Sequence, residues 1–420
     1  MSVREMTRHL STALPWLTKY RISYSSHISV SVSRNCFSTS RPVSRDQFVR
    51  DRENVNIVTL GASQHGKTTI ASRLTQALAP AGVPIKTVQE IDHSVSEREN
   101  QRSESVTHLE VWRRDSGLRF SLADLPGNTT YIKNSLNHIP HADLGLLVIS
   151  PEHGVEEDTK LFAQLAAHLG VKLIVPVISM REDTDVETVD LINMELMELT
   201  DFTSDTVLLD SPLVSDENVS NLLSEIEARV RQHQLLISRD LRSPFSMAIE
   251  QVGSIPSRGT FCAGRVLQGR LTAGAGGDLE VFYQGKTSKV NVRDMEIFRK
   301  GTDSLEAGDR GGVFLKVKQD IELKRGAVLY DSRLKPTASH QFEVSLKCLS
   351  GRGQSVIRGD SVLYHSTATD GKVSVDSTAE ISEDKETVVN IKLKHKILAR
   401  PGDKFVLRNN QTYLLGTILS

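Results

Sequence analysis

The sequence has only three cysteines, Cys36, Cys262 and Cys348, and no Cys-x-x-Cys pair. That excludes a disulfide framework and a cysteine-rich zinc site, and it suits a reducing compartment. No apolar run approaches the roughly 20 residues that a membrane-spanning helix needs, so no membrane span is expected. Aromatic residues make up 5% of the chain, against 38% hydrophobic and 25% charged residues. This balance excludes collagen-like and low-complexity chains and fits a globular protein. The 420 residues allow about three domains.

Acid is almost missing from the start. Residues 1–45 hold eleven Ser, seven Lys or Arg, and Glu5 as the one acid. Leu10, Leu14, Leu17 and Tyr20 recur at helical spacing beside Arg8, Lys19 and Arg21. A basic, Ser-rich, amphipathic start reads as an organelle transit peptide, with a processing region near Arg34–Ser38. A plain basic tail is the competing reading. The rest is split by charge: residues 46–240 carry 17 basic and 31 acidic groups, and residues 241–420 carry 27 and 20. A polyanionic partner would therefore meet the C-terminal half.

From residue 55, short apolar runs alternate with amphipathic stretches. Strands are expected at Val55–Leu60, Arg119–Ala123, Leu144–Ile149 and Leu173–Val177. Helices are expected at Thr68–Ala79, Glu156–Leu169 and Val186–Leu199. This alternation predicts an α/β phosphate-loop domain over 46–240 with a mostly parallel sheet. After Leu241–Pro244 the pattern turns to short β runs, such as Gly259–Val266, Leu279–Tyr283, Gly312–Val317 and Phe342–Leu349. Two all-β barrels, 241–335 and 336–420, fit that stretch.

The strongest motif is Gly61-Ala62-Ser63-Gln64-His65-Gly66-Lys67-Thr68, followed by Thr69. It matches G-x-x-x-x-G-K-[ST] between an expected strand and an expected helix. Glycines let backbone N–H groups close on phosphates, and the helix N-terminus adds positive potential. Lys67 would reach the β and γ phosphates and the Thr68 hydroxyl would hold Mg²⁺. Asp124-Leu-Pro-Gly127 follows at the end of a strand. Asp124 can hold Mg²⁺ through water, and the Gly127 N–H can meet the γ-phosphate. Thr107, in a polar stretch between the two, could complete the Mg²⁺ shell as part of an ordered/disordered switch.

Taken in order, these motifs resemble translational GTPases, most closely the mitochondrial branch of elongation factor Tu. The run Phe48–Ile57, the His65–Thr69 loop, Asp124-x-Pro-Gly127-x-x-x-Tyr131 and Ala142-Asp143 carry the likeness. So do Pro244-Phe245, Ile249-Glu250, Arg258–Thr260, Gly264–Val266 and Pro401–Asp403. The resemblance implies GTP/GDP and Mg²⁺ as ligands. It implies a GTPase that carries aminoacyl-tRNA to the mitochondrial ribosome during translation elongation, served by a nucleotide-exchange factor.

The departures from that family are specific. Where the family reads guanine with Asn-Lys-x-Asp, the chain has Ile178-Ser179-Met180-Arg181; a shift of one residue brings in Glu182. Ser211-Pro212-Leu213 keeps part of the second base-contacting loop. Loss of a paired base contact removes several kcal/mol of discrimination, on the order of 10⁴-fold. Asn128 stands at the catalytic position where the family has a His, which predicts slow hydrolysis. The first switch reads Glu104-Ser105-Val106-Thr107 in place of Arg-Gly-Ile-Thr. In the resemblance's aminoacyl pocket Glu250 is kept, Gln251 replaces Asp and Arg310 replaces Asn. A degenerate paralogue acting as a nucleotide- or RNA-binding module is the alternative. The acidic run Glu152–Asp158 reads as a solvated helix start, and His138 and His141 lack further ligands at metal spacing in sequence.

Overall fold

The structure is a computed structural model of the 420-residue chain. The structure describes residues 47–78, 106–112, 116–180, 184–199, 207–209, 216–235, 239–255, 259–274, 278–317, 323–349, 355–356, 361–365, 368–375, 380–381, 385–409 and 412–420. The basic start and its transit-peptide reading lie outside these residues.

The first domain alternates strands and helices in chain order. They are β1 (Glu53–Leu60), α1 (Lys67–Leu78), β2 (Thr107–Val111), β3 (Leu118–Asp124), α2 (Ile132–Leu136), β4 (Leu144–Ile149), α3 (Glu157–His168), β5 (Leu173–Ser179), α4 (Val186–Leu199), β6 (Val207–Leu209) and α5 (Asp216–Gln232). They form a six-stranded sheet in the order β2-β3-β1-β4-β5-β6. β2 pairs antiparallel with β3. The remaining neighbours are parallel.

Alternation within each strand sends side chains to opposite faces. Val58 and Leu60 of β1 join one core, with Phe162 and Leu165 of α3. Val55 and Ile57 join the other, with Ile70 and Leu74 of α1 and Ile226 of α5. A sheet buried on both faces explains why its strands read as continuous apolar runs. Each fully buried Leu-sized side chain contributes about 2 kcal/mol. The expected helices differ from those observed by at most one residue at either end. The sequence reading missed β2, whose Thr107-His-Leu-Glu-Val111 puts polar His108 and Glu110 between its apolar residues, the short α2 and β6, and α5, whose start is polar.

Six strands of the second domain close on themselves. The order is Leu279–Tyr283, Val328–Asp331, Ser246–Ile255, Gly259–Gln268, Arg310–Val317 and Lys286–Ile297, and the last pairs back with the first. The third domain is a closed barrel of Ala338–Cys348, Thr387–Leu398, Ala368–Val375, Ser361–His365, Lys404–Asn409 and Thr412–Ile418. The chain is thus a phosphate-loop α/β domain followed by β-barrel domains. Leu349, Val406 and Tyr413 of the third domain pack into the α3 side of the first domain's core.

Candidate nucleotide-binding site

The loop 61–66 leaves β1 at its C-terminal end and opens α1. Gly61 adopts φ +120°. A Cβ built there would lie 2.5 Å from the Val148 carbonyl oxygen of β4. Only glycine lets the loop pass this close to the neighbouring strand. Gln64 also has positive φ, 68°, an uncommon conformation for a non-glycine residue. Ala62, His65 and Lys67 are buried, Ser63, Gly66 and Thr68 half-buried, and Gln64 and Thr69 exposed.

Lys67 Nζ donates to the Ala62 carbonyl at 2.5 Å. Burial lowers its pKa to about 8, against the pull of Asp124, Asp158 and Glu156. Gly127 closes the same cradle. A Cβ there would collide with Lys67 Nζ and lie 2.6 Å from the Gly61 and Ala62 carbonyl oxygens. Thr68 Oγ1 donates to Asp124 Oδ2 at 2.7 Å. Thr59 Oγ1 donates to Asp124 Oδ1 at 2.8 Å and accepts from the Leu125 N–H at 3.0 Å. Thr59 was not singled out by the sequence, because a threonine near the end of a buried strand carries no motif signal.

Thr107 is buried and begins β2, directly opposite Asp124 in register. The structure therefore corrects its placement in a loop: it is a strand residue beside the metal-binding candidates. Thr107, Thr68 and Asp124 supply hydroxyl and carboxylate oxygens only, a donor set that fits a hard cation such as Mg²⁺.

Asn128 follows Gly127 and is half-buried. Its side-chain oxygen accepts from the Thr130 N–H at 2.8 Å and caps the short 3-10 turn Thr129–Tyr131. The acceptor that could orient a water is therefore turned to the protein's own backbone. Its amide nitrogen can only donate.

At the end of β5, Ser179 is half-buried and Met180 packs on the core. No carboxylate or amide stands at these two positions. Arg181, Glu182, Ser211, Pro212 and Leu213 lie outside the described residues.

The acidic start of α3 is solvated as expected, with Glu152, Glu156 and Glu157 exposed, and one of these acids also reaches the phosphate loop. Glu156 Oε2 lies 3.4 Å from His65 Nε2. His65 Nδ1 accepts from the Ser150 N–H at 3.3 Å, and its ring stacks on His153 at 5.6 Å. Burial lowers the His65 pKa, with Glu156 opposing and Lys67 adding to the drop.

The aminoacyl candidates Glu250, Gln251 and Arg310 divide. Gln251 is exposed. Glu250 is buried and Arg310 half-buried at the contact between the first and second domains, and they engage each other. Arg310 Nη2 donates to both Glu250 oxygens, at 2.8 and 2.9 Å. His138 Nδ1 lies 3.5 Å and His141 Nε2 3.9 Å from the same carboxylate. Burial pushes the Glu250 carboxyl up, but Arg310 and the two histidines more than offset it and hold it well below the usual range. Burial depresses His138, and pushes His141 down to about 3. The sequence did not group His108, His138 and Glu250, which here bring ligand atoms within 4.8 Å of one another.

A Gly-rich loop between strand and helix, a buried lysine under it and an Asp–Thr pair beside it define a phosphate-loop nucleotide-binding protein. Residues 52–254 match the profile of the family described as "Elongation factor Tu GTP binding domain". The matched segment holds the whole first domain and runs into the strand Ser246–Ile255 of the second. Solved structures similar to the chain share its fold at low identity. A bacterial selenocysteine-specific elongation factor, EF-Sec, is 20% identical with a TM-score of 0.67. The match covers 87% of this chain and 58% of that one. Elongation factor SelB of Methanococcus maripaludis, with a GTP analogue, is 18% identical with a TM-score of 0.64, covering 88% and 80%. The Ski7 GTPase-like domain of S. cerevisiae, bound to GTP, is 16% identical with a TM-score of 0.70, covering 88% and 98%.

Proposed function

We propose that this protein is a Mg²⁺-dependent, nucleotide-operated elongation factor that carries aminoacyl-tRNA to the mitochondrial ribosome and hydrolyses GTP slowly. The observation that carries the reading is the closed phosphate cradle of Lys67, Gly127, Thr68 and Asp124. Lys67 and the loop N–H groups would hold the β and γ phosphates. Gly127, the one residue type that fits against Lys67, would report the γ-phosphate to the segment that follows it. Mg²⁺, held by Thr68, Asp124 and Thr107, would neutralise phosphate charge. Two of the similar structures are elongation factors, which supports a role in translation. The excess of basic over acidic groups in residues 241–420 suits an RNA backbone. An exchange factor remains part of the proposal through the family likeness alone.

The mitochondrial part rests on the composition of residues 1–45. A fusion of residues 1–45 to a fluorescent protein is expected to enter mitochondria, and a cytosolic fusion would remove that part. The carrier part is tested by protection of the aminoacyl ester from hydrolysis. The full chain with GTP is expected to slow deacylation of mitochondrial aminoacyl-tRNA, and unchanged deacylation would sink it.

A second reading has its own support. In sequence, Ile178 or, shifted by one, Ser179 stands where the family's guanine-reading amide would be, and Asn128 is engaged as a cap. Both favour a factor with relaxed base choice and little hydrolysis, working as a nucleotide-binding module. Competition between GTP and ATP on the same protein separates the two readings.

A further inference from the structure

The phosphate loop is held on one side by the segment that follows β4. Ser150 opens a tight turn there, and its carbonyl accepts from the N–H groups of His153 and Gly154 at 3.1 and 3.0 Å. Gly154 takes φ +63°, and the chain enters α3 with Glu156 as its N-cap. Contacts then run from this segment to the loop. The Ser150 N–H reaches His65 Nδ1, Glu156 Oε2 faces His65 Nε2, and Thr159 Oγ1 accepts from the Ala62 N–H at 3.3 Å.

Glu156 serves His65 rather than its own helix. An N-cap side chain ordinarily accepts from N–H groups of the first turn. The Glu156 side chain makes no such bond. It is 46% exposed, yet it turns to a ring that is 1% exposed. That ring has two neutral tautomers. A proton on Nδ1 would face the Ser150 N–H donor, so Nδ1 accepts and Nε2 carries the proton. Nε2 is buried without a hydrogen-bond partner among the described residues, and the Glu156 carboxylate, 3.4 Å away, is the acceptor that faces it. An approach of about 0.3 Å would make an ordinary hydrogen bond. Burial keeps the ring neutral against the pull of Glu156, so Glu156 selects a tautomer rather than a charge.

We propose that Glu156 is a positioning residue for nucleotide binding: it fixes His65 with the proton on Nε2, so that Nδ1 takes the Ser150 N–H and the phosphate loop is pinned to the end of β4. This role rests on the nucleotide reading above for its purpose; the contacts themselves do not. Electrostatics alone argue the other way. Glu156 is a negative charge near enough to Lys67 to raise its pKa, and phosphates would bind better without it. The sign of the effect therefore separates a positioning acid from a merely nearby one.

Two measurements on the full chain decide this. The first needs no nucleotide: nitrogen NMR shifts of the His65 ring, assigned with His65→Asn, read the tautomer. Wild type and Glu156→Gln, whose amide oxygen still accepts, should carry the proton on Nε2. Glu156→Ala should show mixed tautomers and faster hydrogen exchange at the Ser150 N–H. A ring that keeps the Nε2 proton in Glu156→Ala overturns the proposal. The second is GDP affinity with Mg²⁺. Glu156→Ala should weaken it by roughly fivefold or more, and Glu156→Gln by less than about twofold. In the His65→Asn background, Glu156→Ala should weaken it no further. An affinity that holds or rises in Glu156→Ala, or that falls by the same factor in both backgrounds, overturns the proposal. Absence of GDP binding by the wild type would sink the nucleotide reading instead and leave the tautomer measurement to decide what Glu156 does.

Discussion

Lys67 is the side chain whose charge the site depends on, and its surroundings make that charge conditional. Burial holds its pKa near 8 in the free protein, although Asp124, Asp158 and Glu156 oppose the shift. An unfolded lysine titrates near 10.4. Between these values the unfolded chain binds more protons than the folded one, so this group makes stability rise with pH across about 8 to 10. Nucleotide binding has the opposite dependence. Phosphates need the charged amine, so affinity should fall above about pH 8, by up to about tenfold per pH unit. Titrations at pH 7.5, 8.5 and 9.5 check this, and a flat profile would mean that Lys67 does not meet the phosphates.

Asn128 makes a second test at this scale. Its oxygen is committed to the Thr130 N–H, and it lacks a ring nitrogen. Asn128→His is expected to raise single-turnover GTP hydrolysis by roughly tenfold or more. An unchanged rate would show that this position does not limit the reaction.

At the scale of elements, the junctions matter more than the elements themselves. Gly127 stands just beyond β3 and presses on the loop beyond β1. Gly127→Ala would force the Gly61 and Ala62 carbonyls and the Lys67 amine apart. The melting midpoint should fall, because two of the three crowded atoms are backbone oxygens, and nucleotide affinity should drop by roughly tenfold or more even well below that midpoint, where the variant is folded. Wild-type affinity in the folded variant would make Gly127 a folding residue only.

These junctions also show what a sequence can and cannot disclose. The loop Gly61–Thr68 and Asp124–Gly127 were legible because motif, strand and helix agreed on one place. β4 and α4 were legible to the residue, since an unbroken apolar run and a steady 3.6 period leave little choice. β2 was not. Its pairing with β3 supplies the order that its own residues do not specify, and Thr107 was therefore placed in a loop. The Arg310 cluster was invisible for a different reason. His108, His138, Glu250 and Arg310 lie up to 202 residues apart in the chain, and only the docking of two domains brings them together.

For the whole molecule, the contact between the first and second domains is built from buried charge. Asp143, 4% exposed, accepts from the Asn56 N–H at 2.9 Å and from Arg265 Nη2 at 2.5 Å and Arg239 Nη2 at 3.2 Å. Burial alone would raise its pKa; Arg265, Arg239 and Asn56 more than offset that and hold it low. Glu250 behaves alike. Carboxyls with depressed pKa values stabilise the fold above their ordinary value near 4 and lose that contribution as pH falls through the folded value. Acid should therefore loosen this contact below about pH 4. Asp143→Asn leaves two arginines facing a neutral amide and should cost about 3 to 5 kcal/mol in chemical denaturation. A cost below about 1 kcal/mol would make the contact a surface-type pair. The third domain is tied in separately. His168 Nε2 of α3 lies 3.0 Å from the carbonyls of Phe405 and Gly416.

The central claim is that the phosphate cradle works although base reading has weakened. Titration of the full chain with fluorescent GTP, GDP and ATP analogues, with and without Mg²⁺, tests it most directly. The account predicts Mg²⁺-dependent binding of GTP and GDP that Lys67→Ala abolishes. It also predicts a preference for GTP over ATP below roughly a hundredfold, since the gapless reading puts Ile178 at the amide and Arg181 at the carboxylate of the family's guanine-reading motif. Failure to bind any of the three with Mg²⁺ present, or binding that survives Lys67→Ala, would contradict it.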